Sequence, residues 1–395
     1  MNLNRIFAFI FFLPSLFLNH ITLLLYDHDH NLSIFSIVVI SIFNIINCVF
    51  CISILYRGLK KSIFFLLYVI SILVLSDIAF DKFINTNKTI KDDELLGWIL
   101  KSNVSFESYE ETATKKKYLV NYKTSKVDGF REYGNTKINR ENKMLVIGDS
   151  FANAAFASNE NMFYNVMNKE FKENDLFYEL FVGGAGGYGT LQEYILLQKH
   201  LKTIDPSIII FQFCSNDFEN NSYDLESKTI TRSQKFRRPY LVNDEIKKDN
   251  SIQAKIYREL SKASYVFNVI DLMISNIQYR KYKGYFLIEP TKLEYEDSAK
   301  TTKDIISKIY HLAGKNTKIY SINCSIEDKK KTEDWLKIMN DLGIIALLSP
   351  SYKLEIAEKE GQDIWQRDKG HLNNLGNEIY GKAIADEIIV YLKKL

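Results

Sequence analysis

Three long apolar runs occupy the first 80 residues of this 395-residue chain, and they constrain its fold more than any other feature. They cover residues 6–26, 32–56 and 62–80, and each is close to the roughly 20 residues with which a helix crosses the hydrocarbon core of a bilayer. We therefore expect residues 1–80 to form a membrane anchor of three transmembrane helices. Pro14 interrupts the first run, for which a cleaved signal peptide is the competing interpretation.

The basic residues near these runs predict the orientation of the chain. Arg5 precedes the first run, and Arg57, Lys60 and Lys61 lie between the second and the third. Because Lys and Arg are enriched on the cytoplasmic side of membranes, both positions are expected to face the cytoplasm. The chain after the third run then emerges on the outer side. The sequence thus predicts a multi-pass protein of the cell membrane, bound to the lipid bilayer, with an extracytoplasmic main domain.

Charge and cysteine content exclude two broad classes of protein. The 51 basic and 48 acidic residues give a formal net charge of only +3, which argues against a nucleic-acid-binding protein that relies on phosphate neutralisation. Four cysteines are too few for a disulfide-rich scaffold. The chain also lacks the two C-x-x-C pairs of a four-cysteine zinc site. No metal site is therefore expected from the cysteines.

Alternating strand and helix patterns fill the chain from residue 143 to residue 395. Short apolar runs that end in Gly or Asn alternate with segments of helical periodicity, which is typical of a doubly wound α/β fold with a parallel sheet. Strands are predicted at 143–147, 177–182, 207–213, 317–322 and 344–348, and helices at 161–173, 191–202, 301–313, 332–342 and 374–392. Residues 81–142 are predicted to be a membrane-proximal linker with short strands, and residues 220–300 an insertion.

Polar residues or glycines follow three predicted strands, at the edge where ligands bind in open parallel sheets. The first strand ends in the sequence GDSF at 148–151, where Ser150 is either a nucleophile or the cap of the next helix. The second ends in GGAGGYGT at 183–190, which is either an oxyanion-binding turn or a simple tight turn. The third ends at Asn216 and Asp217, a turn-forming pair whose asparagine amide is also a candidate donor.

The C-terminal region supplies a candidate general base for Ser150. His200 and His311 fall in predicted amphipathic helices, whereas His371 follows Asp368 by three residues in the loop DKGH. A serine hydroxyl becomes an effective nucleophile when an imidazole accepts its proton, and a carboxylate holds that imidazole in the correct tautomer. Of these histidines only His371 carries its own orienting carboxylate. The sequence therefore predicts that Ser150, His371 and Asp368 act together.

In this order along the chain, these motifs resemble those of the SGNH hydrolases, also called the GDSL esterase and lipase superfamily. The resemblance covers residues 142–395 and includes the segment HLNNLGN that begins at His371. It implies a flavodoxin-like sandwich in which Ser150 is the nucleophile, His371 the general base and then acid, and Asp368 its orienting partner.

The resemblance also implies an oxyanion hole, made by the backbone N–H groups of Ser150 and Gly187 and by the Asn216 side chain. Each such donor typically contributes ~3 kcal/mol of transition-state stabilisation. Cys214 departs from the family pattern, which often has Gly two residues before the Asn. Cys214 and Cys324 follow neighbouring predicted strands, so a disulfide is compatible with the sequence, although two buried free thiols are the default expectation.

The function hypothesis is a serine esterase that hydrolyses O-acyl esters, above all O-acetyl esters, on a cell-envelope glycan. The glycan follows only from the predicted extracytoplasmic location. The first alternative is an O-acyltransferase that moves the acyl group from Ser150 to a polysaccharide, with a membrane partner as acyl donor. The second is a non-catalytic membrane protein that binds or assembles glycans. Neither a metal nor an organic cofactor is expected, because side chains and backbone donors complete the mechanism.

Overall fold

The computed structural model of the protein describes residues 4–9, 12, 34–58, 60–63, 65–67, 89–282, 285–324 and 328–393. The chain divides into two compact units. The first comprises Met1–Thr86 and Glu259–Tyr285, and the second comprises Asn87–Arg258 and Phe286–Leu395.

The strands and helices of the described residues are numbered in chain order. The strands are β1 (Ile90–Asp93), β2 (Gly97–Leu100), β3 (Ser105–Glu111), β4 (Lys117–Lys123), β5 (Phe130–Tyr133), β6 (Lys143–Gly148), β7 (Glu179–Gly184), β8 (Ile208–Phe213), β9 (Pro239–Val242), β10 (Glu245–Lys248), β11 (Lys318–Asn323) and β12 (Ile345–Leu347). The helices are α1 (Ile34–Arg57), α2 (Ser150–Asn153), α3 (Phe163–Glu173), α4 (Thr190–Ile204), α5 (Asp217–Asn220), α6 (Tyr223–Ser227), α7 (Ile252–Ala263), α8 (Tyr265–Tyr282), α9 (Lys292–Ala313), α10 (Lys329–Leu342), α11 (Ser349–Lys359) and α12 (Asn374–Lys393).

A six-stranded sheet organises the second unit. Its strands lie in the order β12-β11-β8-β6-β7-β5. β6 pairs in parallel with β7 and β8, and β11 pairs in parallel with β8 and β12, whereas β5 adds an antiparallel edge beside β7. The five parallel strands, numbered by chain order, follow the 2-1-3-4-5 sequence of a flavodoxin-like doubly wound fold. The predicted α/β fold with a mainly parallel sheet is confirmed.

Two hydrophobic cores cover the two faces of this sheet. Ile147 and Phe211 point into one core, and their chain neighbours Val146 and Ile210 point into the other, because successive side chains of a strand face opposite sides. Helices α4, α9 and α10 bury apolar side chains in the first core, and α3, α11 and α12 do so in the second. Every residue of β6 and β8 is buried, as expected for central strands with helices on both faces.

Two features of the sheet unit differ from the sequence-based expectation. The helix expected at 301–313 begins at Lys292, because Thr291 and Glu294 form a capping box at its start. The sequence pattern does not predict the helix Ser349–Lys359, although Pro350 stands in its first turn, where the missing N–H of proline is tolerated.

Antiparallel hairpins precede and follow the central strands. β1 pairs with β2 and β3 pairs with β4 within residues 81–142, and β9 pairs with β10 within residues 220–300. The residues of β2 are all buried, and Val120 and Tyr122 of β4 are buried as well. The chain before β6 therefore packs into the sheet unit through β2, β4 and the edge strand β5.

The membrane prediction concerns the first unit. The predicted span 32–56 overlaps α1, whereas most of 6–26 and 62–80 lies outside the described residues. Among the residues that the structure describes, no helix combines the length and the apolar character needed to cross a membrane. The three-helix anchor and the extracytoplasmic location remain predictions.

Candidate active site

The switch point of the sheet brings three of the predicted site positions to one edge. β7 and β8 lie on opposite sides of β6, so a crevice opens outside the carboxyl ends of β6 and β8. Ser150 follows β6, the glycine-rich turn follows β7, and Asn216 follows β8. This is the place where open α/β sheets bind ligands.

Asp149, rather than Ser150, caps the helix that follows β6. The Asp149 carboxylate accepts a 2.9 Å hydrogen bond from the backbone N–H of Phe151. The capping interpretation of Ser150 therefore does not hold. The adjacent strand lies very close to this turn, since a Cβ on Gly184 would be 2.1 Å from the backbone oxygen of Gly148. Only glycine permits this approach, and Gly184 also has a positive φ of 154°.

Ser150 and His371 line the same cavity. It is small, with a volume of about 10 Å³, and is lined mainly by apolar side chains. The other lining residues are Phe151, Ala154, Ala155, Phe156, Leu372 and Asn377. The ring centroids of Phe156 and Phe151 lie 5.1 and 6.0 Å from that of His371. The hydrogen bond between a catalytic serine and its histidine is often long in proteins without substrate. The shared cavity is what places Ser150 and His371 together.

Asp368 holds the imidazole of His371. Its Oδ2 lies 2.5 Å from Nδ1 of His371, and its Oδ1 accepts hydrogen bonds from the backbone N–H groups of Gly370 (2.8 Å) and His371 (3.0 Å). Burial by itself would raise the pKa of the Asp368 carboxyl, but the hydrogen bond and charge of His371 outweigh it and hold that pKa below its ordinary value. With Nδ1 engaged by the carboxylate, Nε2 is the nitrogen left to accept a proton.

Two asparagines of the HLNNLGN segment close the loop that carries His371. Nδ2 of Asn373 donates to the backbone oxygen of Trp365 at 3.2 Å, and Nδ2 of Asn377 donates to that of Leu372 at 3.2 Å. Trp365 and Leu372 also pair as an antiparallel bridge on either side of the loop. Residues 366–371 thus form a tight loop, which sets the direction of the His371 side chain.

The β3–β4 hairpin supports both the cavity and this loop. The hydroxyl of Tyr118 donates a 2.9 Å hydrogen bond to the backbone oxygen of Phe156, which lines the cavity. The backbone N–H of Ala113 donates to the oxygen of Trp365 at 3.0 Å. Sequence reasoning did not identify these supporting residues, because the contacts join parts of the chain that are far apart in sequence.

The glycine-rich segment forms a turn beside Ser150. A Cβ on Gly186 would lie 4.0 Å from the Cβ of Ser150. The N–H of Tyr188 donates to the oxygen of Ala185 at 3.1 Å, so Gly186 and Gly187 are the central residues of the turn. Gly187 has a φ of 73°, which favours glycine at this position. The predicted donor Gly187 and its neighbour Gly186 therefore both belong to a turn that abuts the candidate nucleophile.

Trp98 of β2 holds this turn in place. Its indole Nε1–H donates a 3.0 Å hydrogen bond to the backbone oxygen of Gly186, and the hydroxyl of Tyr188 donates a 2.8 Å hydrogen bond to the backbone oxygen of Trp98. Trp98 and Tyr188 are both buried. No local pattern signals this role, because Trp98 and Gly186 are separated by 88 positions in the sequence.

Asn216 stands at the start of α5, after β8. Its side chain lies near the buried Asp149 carboxyl, whose raised pKa it moderates, and so Asn216 is close to the turn that carries Ser150. The backbone N–H of Cys214 donates to Oδ2 of Asp217 at 2.8 Å, and the N–H of Asp217 donates to the oxygen of Cys214 at 2.9 Å. This reciprocal pair fixes the turn on which Asn216 lies.

Cys214 and Cys324 form a disulfide, so the default expectation of two free thiols is wrong. The physical reason is the register of the sheet. Phe213 of β8 is the partner of Asn323 of β11, so the cysteines that follow these residues emerge side by side at the same edge. The Cα atoms of the two cysteines are 5.0 Å apart. The disulfide joins the carboxyl ends of two neighbouring strands at the candidate site.

The disulfide also removes a group of potential metal ligands. Among the described residues, Asp149, Cys214 and Cys324 are the one group of such ligands whose atoms lie within 4.8 Å of one another. Both sulfurs are consumed by the disulfide, and a single carboxylate does not make a metal site.

Three fully buried carboxyls, Asp149, Glu193 and Asp217, interact electrostatically near this edge. Burial raises the pKa of each, and the charges of the neighbouring carboxyls add to the rise for Glu193 and Asp217. The neutral forms of these carboxyls are favoured relative to exposed carboxyls, because several buried negative charges close together are unfavourable.

The other two histidines of the sheet unit lie away from the cavity. The His200 ring packs edge-on against Phe130, with 4.8 Å between the ring centroids, and burial lowers its pKa to about 4. His311 lines a surface pocket together with Lys300 and Lys308. Neither residue is among those that line the cavity of Ser150 and His371.

Comparison with known proteins gives distant structural likenesses only. No family model matches the chain, and no curated protein matches it. Solved structures with a similar arrangement include the psychrotrophic esterase EstA from Pseudoalteromonas sp., which is 12% identical with a TM-score of 0.38 and covers 64% of this chain and 100% of its own. A lipase/acylhydrolase from Enterococcus faecalis is 12% identical with a TM-score of 0.36, covering 62% of this chain and 94% of its own. A catalytic mutant of Axe2, an acetylxylan esterase from Geobacillus stearothermophilus, is 11% identical with a TM-score of 0.37, covering 64% and 96%. At these identities and TM-scores the likenesses do not determine the activity of this chain.

Proposed function

We propose that this protein is a serine esterase that hydrolyses O-acyl esters through Ser150, His371 and Asp368. One observation carries the proposal: Ser150 and His371 line the same cavity, and Asp368 holds Nδ1 of that histidine at 2.5 Å. Ser150 lies more than 200 positions from both Asp368 and His371 in the sequence, so the cavity that it shares with His371 supports a common role. A nucleophile, a base and a group that orients the base are the minimum set for acyl transfer through a covalent intermediate.

The reaction begins when Nε2 of His371 accepts the proton of the Ser150 hydroxyl. Oγ then attacks the ester carbonyl carbon and forms a tetrahedral intermediate. The imidazolium passes its proton to the leaving alkoxide, which departs as an alcohol and leaves an acyl ester on Ser150. Water repeats the sequence in the second half, and the carboxylic acid is released. Asp368 stabilises the imidazolium in both halves while remaining ionised, as its lowered pKa favours.

The oxyanion of the tetrahedral intermediate would be stabilised by the backbone N–H groups of Ser150 and Gly187 and by the Asn216 side chain. Gly187 belongs to the turn that abuts Ser150, and the Asn216 side chain lies near the Asp149 carboxyl, which precedes Ser150. Donors that are fixed before the reaction stabilise developing charge without reorganisation. The hydrogen bond from Trp98 to this turn and the disulfide at Cys214 supply that rigidity.

A short acyl group on a cell-envelope glycan is the proposed substrate. Phe151, Phe156 and two alanines bound this small, mainly apolar cavity, which suits acetyl better than a long fatty acyl chain. The Cys214–Cys324 disulfide favours an oxidising, extracytoplasmic location, which is where the predicted membrane anchor would place this domain. An acylated glycan is the ester-bearing polymer expected at that location.

The test uses the full chain in detergent with p-nitrophenyl acetate as substrate. Wild type is expected to release nitrophenol and acetate, whereas Ser150→Ala should lose at least ~10³-fold in kcat. Ser222→Ala is the matched control, because Ser222 also stands at a helix start, where its hydroxyl accepts a 3.3 Å hydrogen bond from the N–H of Leu225. Equal activity of Ser150→Ala and wild type would refute the proposal.

The same assay separates hydrolysis from transfer. An added oligosaccharide that becomes acetylated, with less free acetate released, would identify the O-acyltransferase, in which a sugar hydroxyl replaces water in the second half-reaction. Acetate release that does not depend on the oligosaccharide supports the esterase. A protein without either activity, and with no phenotype in Ser150→Ala, would be the non-catalytic glycan-binding or assembly protein.

A further inference from the structure

The helix α7 exposes a row of aliphatic side chains. Ile252, Ile256 and Leu260 are between 41% and 78% exposed, and their four-residue spacing places them on one face of the helix. The packing face of α7 is elsewhere, since Ala254 and Tyr257 are buried. The exposed row is therefore additional to the core contacts of this helix.

The next helix, α8, has the same property. Leu272, Met273 and Ile277 are between 57% and 62% exposed, and Tyr279 is also exposed on the following turn. Large exposed aliphatic side chains on two consecutive helices usually mark a surface that binds a membrane or another protein.

Basic residues accompany both apolar rows. Lys255 and Lys262 are exposed on α7, and Lys281 is exposed near the end of α8. Residues 252–283 contain six basic and two acidic residues, a local excess of positive charge larger than the net charge of the whole chain. The sequence YRKYKGY at 279–285 also alternates tyrosine with basic residues, as segments at a membrane interface do.

We propose that α7 and α8 lie on the surface of an anionic lipid bilayer. Their aliphatic rows would enter the boundary between headgroups and acyl chains, and Lys255, with the local excess of positive charge, would face the lipid phosphates. A protein partner fits these helices less well, because lysine is depleted in the buried centre of protein interfaces. An amphipathic helix with lysines beside an aliphatic face is instead the pattern of interfacial membrane binding. This contact is additional to the predicted spans and does not depend on the esterase proposal.

Nitroxide labels test the position of these helices directly. The full chain would be reconstituted in vesicles of phosphatidylglycerol and phosphatidylcholine, in a background where Cys48 and Cys51, the free cysteines among the described residues, are replaced by serine. Single cysteines at Ile256→Cys and Ile277→Cys would carry the label. Ile356→Cys on α11 is the matched control, because Ile356 is also an exposed isoleucine (49%) on a helix. Accessibility to oxygen and to a water-soluble nickel chelate would be measured for each label.

The labels at 256 and 277 are expected to be about fivefold less accessible to the nickel chelate than the label at 356, and more accessible to oxygen. Equal nickel access at all three positions would overturn the proposal. Low nickel access together with low oxygen access at 256 and 277 would also overturn it, since protein rather than lipid would then cover the helices. In pure phosphatidylcholine vesicles the protection should weaken, because the lysines lose their anionic partners. Retained protection there would contradict the assigned role of these lysines.

Ester hydrolysis by each labelled variant serves as the check on folding. None of the three positions lines the cavity of Ser150, so each variant should retain wild-type kcat on p-nitrophenyl acetate. Loss of the lipid contact with activity intact would refute the membrane-surface proposal alone. Loss of activity in Ser150→Ala bears only on the esterase.

Discussion

The indole Nε1–H of Trp98 donates a 3.0 Å hydrogen bond to the backbone oxygen of Gly186, the glycine that abuts Ser150. A hydrogen bond from the Tyr188 hydroxyl to the oxygen of Trp98 ties the other end of the same turn to β2. Stabilisation of an oxyanion depends on donors that are already in position before the reaction. Trp98 is therefore a positioning residue for the turn, although it is not among the residues that line the cavity.

Replacing Trp98 by phenylalanine should lower kcat about tenfold and change KM little, because the turn loses one anchoring hydrogen bond while the cavity stays intact. Trp335→Phe is the matched control. Its indole Nε1–H also donates a buried 3.0 Å hydrogen bond, to Oγ of Ser321. Steady-state kinetics on p-nitrophenyl acetate would compare the two variants, and an equal loss of kcat in both would show that Trp98 acts only through general stability.

Replacing Asp368 by asparagine should lower kcat by ~10³–10⁴-fold, because an amide does not hold the productive tautomer of His371 or stabilise its charged form. Asp341→Asn is the control, since Asp341 is a surface carboxyl whose pKa is lowered by its hydrogen bond to Lys303. Its replacement should leave kcat unchanged. Activity of Asp368→Asn within tenfold of wild type would remove Asp368 from the mechanism.

The lowered pKa of Asp368 also predicts how its replacement changes acid stability. A carboxyl whose folded-state pKa lies below its unfolded value stabilises the fold above the unfolded pKa and loses that contribution as the pH falls through the folded pKa. As the pH falls below about 4, the stability of the folded wild type should therefore decrease more steeply than that of Asp368→Asn. Thermal unfolding at a series of acidic pH values measures this difference, and parallel curves would contradict it.

Removing the disulfide should affect both stability and rate. The double variant Cys214→Ala/Cys324→Ala is expected to lose about 2–5 kcal/mol of stability, and its kcat should fall because the turn that carries Asn216 is no longer tied to β11. Cys48→Ala/Cys51→Ala is the control for the same number of cysteine replacements. Thermal midpoints and kcat would be measured for both, and unchanged values in the first variant would show that the disulfide supports neither.

His200 predicts a second pH effect, in the range between its folded and unfolded pKa values. Burial lowers the pKa of His200 to about 4, so the unfolded chain binds a proton between about pH 6.5 and 4 that the folded chain does not. Stability should therefore fall with acidification across that window. His200→Phe, which keeps an aromatic ring against Phe130, should flatten this part of the thermal stability curve. Equal slopes in wild type and His200→Phe would argue against a neutral His200 in the folded protein.

The sequence allowed the central part of the fold to be predicted because β6 and β8 are continuous apolar runs that end in turn residues. The motif residues could be located for the same reason, since Ser150 and Asn216 follow predicted strands and His371 precedes the predicted C-terminal helix. The contacts that fix them could not be predicted. Trp98 and Tyr118 bond to residues whose proximity depends on strand order and register, and no local pattern encodes either. The sequence allowed the Cys214–Cys324 disulfide but favoured free thiols, because the register that brings the two strand ends together is not encoded locally.

The capping interpretation of Ser150 shows a second limit of local patterns. Aspartate and serine are both common caps, so the sequence GDSF left both assignments open. The structure assigns the cap to Asp149, whose carboxylate accepts from the N–H of Phe151. The side chain of Ser150 is thereby left at the cavity that it shares with His371.

Covalent labelling of Ser150 tests the central claim most directly. The full chain would be treated with a fluorophosphonate, and the modified residue would be located by mass spectrometry of the peptide that contains Ser150. We predict one phosphonyl adduct on Ser150, absent from Ser150→Ala and formed at least ~10²-fold more slowly in His371→Ala. A folded wild-type protein that takes up no probe, or an adduct that forms as rapidly in Ser150→Ala, would contradict the proposed mechanism.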